Sequence, residues 1–310
     1  MRYLVTGGGG FIGSNISEEL LKRGHKVRIL DNFSTGSPQN IADFEDQVEL
    51  IEGDLRSYHI VREAVDGVDF VLHQAALPSV PRSIRDPLTS DEVNVGGTLK
   101  LLHAAVDAKV KRVVFASSSS IYGDSPTLPK KEDLAPNPLS PYAVSKLAGE
   151  KYIQVFARIY NLHTVALRYF NVFGPRQNPF SQYSAVIPKF INAIMNDKQP
   201  TIYGDGEQSR DFTFIENVIE ANIRATEVDC PPGVAMNCAV HQRTTLNQLV
   251  ELVNEKLGKK ITPIYTEPRP GDVKHSFADI TLLNETLKFN PKILFEEGLS
   301  RTIEWYKNQK

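Results

Sequence analysis

Short apolar runs alternate with amphipathic stretches through the first half of the chain. Stretches such as residues 14–24 place Ile16, Leu20 and Leu21 on one face and end at Gly24, as amphipathic helices do. The runs that predict strands are residues 3–7, 26–31, 48–54, 70–76, 112–118 and 164–170. Strands that alternate with helices are typical of βαβ units. We therefore predict an α/β fold with a doubly wound parallel sheet and a ligand crevice at the carboxyl ends of its strands.

The second half of the chain is less regular. Segments rich in Pro and Gly interrupt it at 174–184, 203–212 and 267–276, and helical periodicity returns at 245–258 and 296–309. This pattern predicts a smaller, loop-rich part that is built onto the sheet and holds a substrate.

Composition narrows the class of function. A formal net charge of -2 and a pI near 6.4 argue against a nucleic-acid partner, because such proteins carry a basic surplus. No apolar run reaches the roughly 18 residues of a membrane helix, and the N-terminus leads straight into a strand, so we expect a cytoplasmic protein without membrane contact. Cys230 and Cys238 fit no metal or CxxC spacing, and the seven histidines form no HxH or HExxH pair, so we predict no metal site.

The glycine loop "VTGGGGFIG" follows the first predicted strand and precedes a helix. Gly7, Gly10 and Gly13 let the backbone turn tightly and approach a pyrophosphate, which the free N–H groups of a helix N-terminus can bind. The second strand ends at Asp31, where a carboxylate can bond an adenosine ribose diol and would repel a 2′-phosphate. The sequence therefore predicts NAD rather than NADP.

Loops after the next strands fit the same cofactor. Asp54 and Leu55 follow the third strand, where an acid can meet the adenine amino group. Ala75 and Ala76 follow the fourth, where small side chains let the backbone pass close to a dinucleotide. Asn94 lies in a predicted helix, and the sequence leaves open whether it contacts the cofactor or ties down a loop.

The stretch "SPYAVSK" combines a helix start with two reactive side chains. Ser140 suits the N-cap and Pro141 the first turn, so Tyr142 and Lys146 share one helical face. A free tyrosine, with a pKa of about 10, is a poor base at neutral pH. A nearby ammonium and a cationic nicotinamide both favour the phenolate, so we expect the pKa of Tyr142 to be lowered.

Together, "GGGGFIG", "SSSSIYG", "YAVSK" and "RYFNVFGPRQNP" resemble the extended short-chain dehydrogenases/reductases over nearly the whole chain. The chain most resembles the nucleotide-sugar 4-epimerases of the UDP-glucose and UDP-N-acetylglucosamine type. The resemblance implies a Rossmann-type NAD-binding domain at 1–168, with a returning segment at about 212–240. It implies a substrate-binding domain at 169–211 and 241–310. Helices near 92–108 and 142–160 are those that this family packs into a dimer, so a homodimer is expected.

The family also implies roles for individual residues. Tyr142 is the acid/base on the sugar 4-hydroxyl, Lys146 holds the nicotinamide ribose, and Ser118 is the catalytic serine. The sugar is oxidised at C4 by hydride transfer to NAD, turns over as a 4-keto sugar and is reduced on its other face. The expected cofactor contacts are Gly7, Gly10, Phe11, Ile12, Gly13, Asp31, Asn32, Asp54, Leu55, Ala75, Ala76, Asn94, Tyr142, Lys146 and Tyr169.

The UDP-sugar substrate is expected to meet a second set of residues. Arg210 and Arg269 would bind the diphosphate, because guanidinium groups pair two oxygens at once. Asp272 would bind the uridine ribose, and Val186, Ile202 and Tyr203 the uracil. The full set is Ser79, Arg82, Ser83, Ser119, Ser120, Asn171, Val186, Ile202, Tyr203, Arg210, Arg269, Asp272 and Ser276.

Departures from the family patterns bear on the reaction and the sugar. Ser119 and Ser120 stand where dehydratases and decarboxylases of the family carry acids, which leaves epimerisation. Ser276 stands where glucose-specific epimerases tend to carry a tyrosine, so a serine leaves room for an N-acetyl group. Pro78 replaces a lysine near the cofactor phosphates, with an effect on NAD retention that the sequence does not decide. We expect UDP-GlcNAc and UDP-GalNAc as substrates, with UDP-Glc and UDP-Gal as a second pair.

Three alternatives remain open at this stage. Arg82 could pair a substrate carboxylate, which keeps UDP-glucuronate 4-epimerase as the main rival. A sugar-nucleotide dehydrogenase or reductase of the same superfamily would show net redox change. A catalytically idle NAD sensor would lack the tyrosine or the lysine, and both are present here.

Overall fold

The computed structural model describes residues 1–180, 185–268 and 273–308. Its strands are β1 (Arg2–Thr6), β2 (Lys26–Asp31), β3 (Val48–Glu52), β4 (Phe70–His73), β5 (Arg112–Ser118), β6 (Thr164–Tyr169), β7 (Val172–Phe173), β8 (Thr201–Tyr203), β9 (Ser209–Arg210), β10 (Thr213–Phe214), β11 (Val234–Cys238), β12 (Thr244–Thr245) and β13 (Ile264–Thr266). Its helices are α1 (Phe11–Lys22), α2 (Tyr58–Val65), α3 (Val80–Arg85), α4 (Pro87–Asp91), α5 (Thr98–Asp107), α6 (Pro141–Ile159), α7 (Val186–Met195), α8 (Ile215–Glu227), α9 (Leu246–Leu257), α10 (Thr281–Leu287) and α11 (Phe295–Asn308), with a π-helical turn at Glu92–Gly97 before α5.

A parallel sheet forms the centre of the described chain, in the order β11-β6-β5-β4-β1-β2-β3. It confirms the predicted doubly wound fold, and β2 and β5 have the predicted bounds. The prediction of six strands was one short, because β11 reaches the sheet beside β6 from the irregular second half of the chain. The predicted domain boundaries remain a prediction.

Alternating side chains bury both faces of the sheet. On β1, Tyr3 and Val5 pack with α1 and α8, whereas Leu4 packs on the other face with α2, α5 and α6. This period of two is the reason that its strands read as continuous apolar runs. The sheet is therefore covered by helices on both faces, and because its strands are parallel, their carboxyl ends lie along one edge of the sheet.

The smaller part of the structure is built from short strand pairs and helices. Parallel pairs join β7 to β10 and β8 to β13, and an antiparallel pair joins β9 to β12. The predicted helix at 245–258 is α9, which Thr245 caps reciprocally with Gln248 and which ends at Gly258 with a φ of 66°. The helix predicted at 296–309 is α11, whose Phe295 ring lies 5.4 Å from that of Phe173. Within the described ranges, no helix has the length and apolar character needed to cross a membrane.

Candidate active site

The glycine loop lies between β1 and α1, against the loop that follows β4. Gly7 has a φ of +70°, and a Cβ there would lie 2.7 Å from the Ala75 nitrogen. A Cβ on Gly13 would lie 2.1 Å from the Gly7 oxygen. At Gly10, the N-cap of α1, the nearest atom to a Cβ is the Gly7 oxygen at 3.2 Å, and no side chain caps the helix. The loop thus leaves a cradle at Gly10 in front of the first N–H groups of α1, as an anion site requires.

This cradle opens into a cavity of about 600 Å³ at the carboxyl ends of the strands. The cavity is lined by every predicted cofactor residue except Asn94, from Gly7 and Asp31 at one end to Tyr142, Lys146 and Tyr169 at the other. It is also lined by residues that the sequence did not single out for the cofactor, namely Ser34, Thr35, Arg56, Gln74, Ser117, Gln177 and Asn178. A glycine cradle for phosphates, an acid at the end of β2 and a buried Tyr–Lys pair along one cleft fit NAD.

The acidic end of the cavity is held by hydrogen bonds. The two oxygens of Asp31 accept the N–H groups of Gly9 and Phe33, each at 2.8 Å, and burial raises the pKa of this carboxyl. Asp54 accepts hydrogen bonds from Arg56 and Asn32, and the Arg56 guanidinium lowers the pKa of Asp54 to about 2. Arg56 immediately follows the predicted Asp54-Leu55 pair, but a charged residue in a loop does not by itself indicate a cofactor contact.

The predicted helix start is correct, and it brings the reactive side chains together. The Ser140 hydroxyl accepts the Ala143 N–H at 3.2 Å and caps α6. The Ser118 side chain is near enough to Tyr142 to lower the pKa of the phenol, and its hydroxyl accepts the Ser120 N–H at 3.2 Å. The bond from Ser120 uses only a lone pair, so the Ser118 proton remains available for the tyrosine oxygen.

Lys146 lies in the same buried corner. Its Nζ donates to the Ala116 carbonyl at 2.8 Å and lies 5.9 Å from the centre of the Tyr142 ring. Burial lowers the pKa of Lys146 to about 8. Among the protein groups alone, burial raises the pKa of Tyr142 more than the Ser118 side chain lowers it, so the lowering expected from a nicotinamide cation stays a prediction.

The segment at α3 contains three of the predicted substrate residues, of which two line the large cavity and one does not. Ser79 and Arg82 line the large cavity, and Ser79 has a φ of 100° that few side chains adopt. Ser83 was expected to meet the substrate, but its side chain is buried. Its hydroxyl donates to the Val80 carbonyl at 2.8 Å and accepts the Tyr142 N–H at 3.0 Å. In the described structure Ser83 is therefore a support of α6.

Asn94 takes the loop-holding role that the sequence left open. Its side chain accepts the Leu77 N–H at 2.7 Å, donates to the Leu77 carbonyl at 3.2 Å, and is 3% exposed. Tyr169 lies at the cavity wall, where its hydroxyl bonds Gln74 and Asn222 and burial raises its pKa.

A second cavity, of about 280 Å³, lies on the side of the smaller part. Asn171, Val186, Tyr203 and Arg210 line it, as predicted for the sugar nucleotide. Ile202 does not, since its side chain is wholly buried in the core while Thr201 and Tyr203 face the cavity on either side. A strand exposes alternate residues, so neighbours cannot share one face.

The other predicted substrate residues have mixed placements. Ser276 is half-buried beside β9, where its N–H donates to the Ser209 carbonyl at 3.0 Å. Ser119 and Ser120 lie in the 3₁₀ turn after β5, and the buried Ser120 hydroxyl has no hydrogen-bond partner among the described residues. Arg269 and Asp272 lie outside the described residues. Arg210 donates to the carbonyls of Ser209 and Lys274.

Comparisons with known proteins agree with one another. A model of the NAD dependent epimerase/dehydratase family matches residues 3–239. The UDP-glucose 4-epimerase of Mycolicibacterium smegmatis is 35% identical over 100% of this chain and 99% of its own. The structure of UDP-N-acetylglucosamine 4-epimerase from Methanobrevibacter ruminantium in complex with UDP-N-acetylmuramic acid is 43% identical, with a TM-score of 0.95 over 100% of this chain and 99% of that one. A mutant of UDP-glucuronic acid 4-epimerase from Bacillus cereus, in complex with UDP-4-deoxy-4-fluoro-glucuronic acid and NAD, is 31% identical, with a TM-score of 0.93 over 100% of both chains.

Proposed function

The chain belongs to the NAD-dependent epimerase/dehydratase family and is an NAD-dependent UDP-sugar 4-epimerase; from this premise we propose that it interconverts UDP-GlcNAc and UDP-GalNAc. Ser276 carries the proposal. Its N–H is bonded to the Ser209 carbonyl on β9, next to Arg210 in the second cavity, and we place the sugar between that cavity and Tyr142, where a serine at 276 leaves more room for an N-acetyl group than a tyrosine would. The 43% identical structure of a UDP-N-acetylglucosamine 4-epimerase supports the same sugar class.

The side chains of the large cavity suggest how the reaction is run. We propose that Tyr142 removes the proton of the sugar 4-hydroxyl and later returns it, with Ser118 bonded to the same oxygen. Lys146 supplies a positive charge 5.9 Å from the tyrosine ring centre and favours the phenolate. NAD, when bound, supplies the hydride acceptor and donor for C4. With serines at 119 and 120, the neighbouring turn carries no acid to expel water or carbon dioxide.

Proton NMR of the anomeric signals tests the choice of sugar. Purified protein is given UDP-GlcNAc, UDP-Glc, UDP-Gal and UDP-GlcA, and we expect turnover of the N-acetyl sugar with the plain pair slower. Ser276→Tyr should lower UDP-GlcNAc turnover roughly tenfold or more while sparing UDP-Glc. Ser300→Tyr, on the exposed side of α11, is the matched control. Conversion of UDP-Gal with none of UDP-GlcNAc would contradict the proposal.

A second candidate substrate is UDP-glucuronate. Arg82 lines the cavity that contains Tyr142, and a guanidinium there could pair a sugar carboxylate. The 31% identical structure of a UDP-glucuronic acid 4-epimerase supports this alternative. Fast conversion of UDP-GlcA that Arg82→Met abolishes would favour it. A net rise in NADH during turnover would instead indicate a dehydrogenase.

We also propose a homodimer built on α5 and α6. Exposed apolar side chains continue from α6 onto the neighbouring α3 and α4, at Ile84, Leu88, Val144, Val155 and Ile159. Sedimentation velocity should give a dimer that Val155→Glu weakens, while Leu294→Glu, at another exposed apolar position, leaves it intact. A monomer at micromolar concentration would rule this assembly out.

A further inference from the structure

A chain of buried polar side chains runs beneath the cavity, and the reaction as described does not use it. His73, at the end of β4, is 1% exposed, and its two ring nitrogens lie 2.7 Å from the Thr6 hydroxyl and 2.9 Å from the Thr98 hydroxyl. Thr98 in turn bonds the carbonyl of Asn94 at 2.6 Å. Thr6, Thr98 and Asn94 are all buried as well. The chain therefore connects β1, β4 and the π-helical turn before α5.

The bonds at each end fix the tautomer of His73. The Thr98 hydroxyl has one proton, and the Asn94 carbonyl can only accept it, so Thr98 must accept from His73. Nε2 of His73 then carries the proton, and Nδ1 accepts from the Thr6 hydroxyl. Thr6 keeps a lone pair for the Ala75 N–H, which donates to it at 3.2 Å. Every group of the chain is satisfied in this one arrangement with neutral His73.

The surroundings keep His73 neutral. Burial, with the Lys146 charge as a smaller cause, lowers the pKa of His73 to about 3. The Phe115 ring lies between the two groups, 5.7 Å from the His73 ring centre and 5.1 Å from the Lys146 nitrogen. A proton on Nδ1 would also break the bond that Thr6 donates.

The two ends of the chain hold the loop after β4, which lines the cofactor cavity. Thr6 accepts the Ala75 N–H and Asn94 accepts the Leu77 N–H at 2.7 Å, so the Gln74–Ala75 and Ala76–Leu77 peptides are both held. Asn94 also donates to Ser145 at 3.1 Å, and Ser145 donates to the Tyr142 carbonyl at 2.8 Å. We propose that His73 is a positioning residue whose neutral Nε2–H form sets the Ala75–Leu77 wall against NAD and joins it to the helix of Tyr142.

Thr98→Val and Thr98→Ser form the test pair, because valine keeps the shape of threonine without its hydroxyl, whereas serine keeps the hydroxyl without the methyl group. In Thr98→Val the His73 N–H loses its acceptor, and we expect bound NAD to be released roughly tenfold faster, with Thr98→Ser within about threefold of wild type. Thr226→Val is the control. Thr226 is also buried and bonds a local carbonyl at 2.7 Å and Tyr3 at 3.1 Å, but it lies on α8, outside the cavity. It should lower the melting temperature comparably and leave NAD release unchanged.

Three results would overturn the proposal. Thr98→Val could lose stability with unchanged NAD release, or Thr226→Val could speed NAD release as much. Independently of any variant, ¹⁵N NMR of the wild-type holoenzyme should show His73 protonated on Nε2 alone between pH 6 and 9, and a cationic or Nδ1–H ring would contradict the chain. If Thr98→Val does not fold, the NMR assignment and Thr98→Ser still decide.

Discussion

The cofactor end and the sugar-nucleotide end of the active site are built in different ways. At the cofactor end, the predicted residues other than Asn94 line one cavity, because most of them lie at or just after the carboxyl end of a strand of the parallel sheet, and α6 adds Tyr142 and Lys146. At the other end, short strand pairs and loops carry the lining, and the predicted residues divide between cavity wall, core and strand edge. In a regular sheet, the place of a residue in the sequence predicts its place in the structure. In loops that return from distant segments of the chain, it does not.

The difference also appears in how the polar groups are fixed. Asp31, Asn94 and Lys146 are each bonded to backbone groups of neighbouring elements. Arg210 also bonds backbone carbonyls, but it sits on a strand of only two residues, and those carbonyls belong to its own neighbour Ser209 and to the loop residue Lys274. We therefore expect mutations at the two ends to separate NAD retention from substrate binding.

The largest effect is expected from Tyr142→Phe, which acts where the two ends meet. Removing the phenol should lower kcat by roughly 10³-fold, within the range of a lost general acid/base. Bound NAD should remain, because the ring still fills its place. Single-turnover kinetics and NAD content after purification measure both. Turnover near the wild-type level would remove Tyr142 from the proton-transfer role.

Lys146→Met should move the pH profile. In the wild type, Tyr142 and Lys146 titrate as a pair. Because the pKa of Lys146 is about 8, the pair loses its first proton with an apparent pKa no higher than about 8. The form with Tyr142 ionised and Lys146 charged belongs to this singly deprotonated state. Without Lys146, only Tyr142 remains, and burial holds its pKa above the usual value of about 10. The rise of kcat with pH should shift upward by about 2 units, which is roughly 10²-fold at pH 7.

The quantity to measure is the pH at which kcat rises, rather than the maximal kcat. Lys130→Met is the control, since Lys130 is also buried, bonds a carbonyl and has a pKa lowered by burial, but lies in a loop after β5. An unshifted rise in Lys146→Met would show that the lysine does not tune Tyr142.

Arg210→Met tests the sugar-nucleotide end. Loss of charge-assisted hydrogen bonds to a diphosphate should raise KM for the UDP-sugar roughly tenfold to hundredfold, with NAD content unchanged. Arg301→Met, which removes a surface guanidinium paired with Glu216 and Glu297, should leave KM unchanged. Equal effects of the two variants would show that Arg210 acts through stability alone.

Gly10→Ala tests the opposite end. The backbone at Gly10 has a φ of -81°, which alanine adopts, and its Cβ would lie 3.2 Å from the Gly7 oxygen, a tight contact that a shift of a few tenths of an ångström would relieve, so the fold should persist. The methyl group would enter the phosphate cradle and weaken NAD retention roughly tenfold, by analogy with overpacking. Gly96→Ala, with only Lys100 near its Cβ, is the control. Unchanged NAD retention in Gly10→Ala would mean that the cofactor does not approach this cradle.

How much the sequence could predict follows the same division. The bounds of β2 and β5 and the cap of α6 at Ser140 were predictable, because strand runs and N-caps are local signals. β11 was missed, since it is short and its neighbours in sequence are irregular. Ile202 was misplaced because a resemblance gives a segment, while the pleat decides which side chain faces the cavity.

The raised pKa of Tyr142 could not be read from the sequence either. The i, i+4 spacing gives a shared face but not the depth of burial, and burial is the larger cause here. The same holds for His73, which has no neighbours in sequence that announce a role. Its partners Thr6 and Thr98 come from β1 and α5, and only the folded chain brings them together.

The smallest expected effect is that of Ser83, which connects α3 to the start of α6. Ser83→Ala removes the acceptor of the Tyr142 N–H, so we expect kcat to fall roughly fivefold, the cost of one hydrogen bond. Ser90→Ala is the matched control, because Ser90 is equally buried and its hydroxyl also donates to a local carbonyl at 2.8 Å. Ser83→Thr should restore kcat if the threonine hydroxyl again accepts that N–H. Both alanine variants should lose similar stability, so a kcat that falls only in Ser83→Ala would show that the cavity wall at α3 positions the base, whereas equal kcat values would reduce Ser83 to packing.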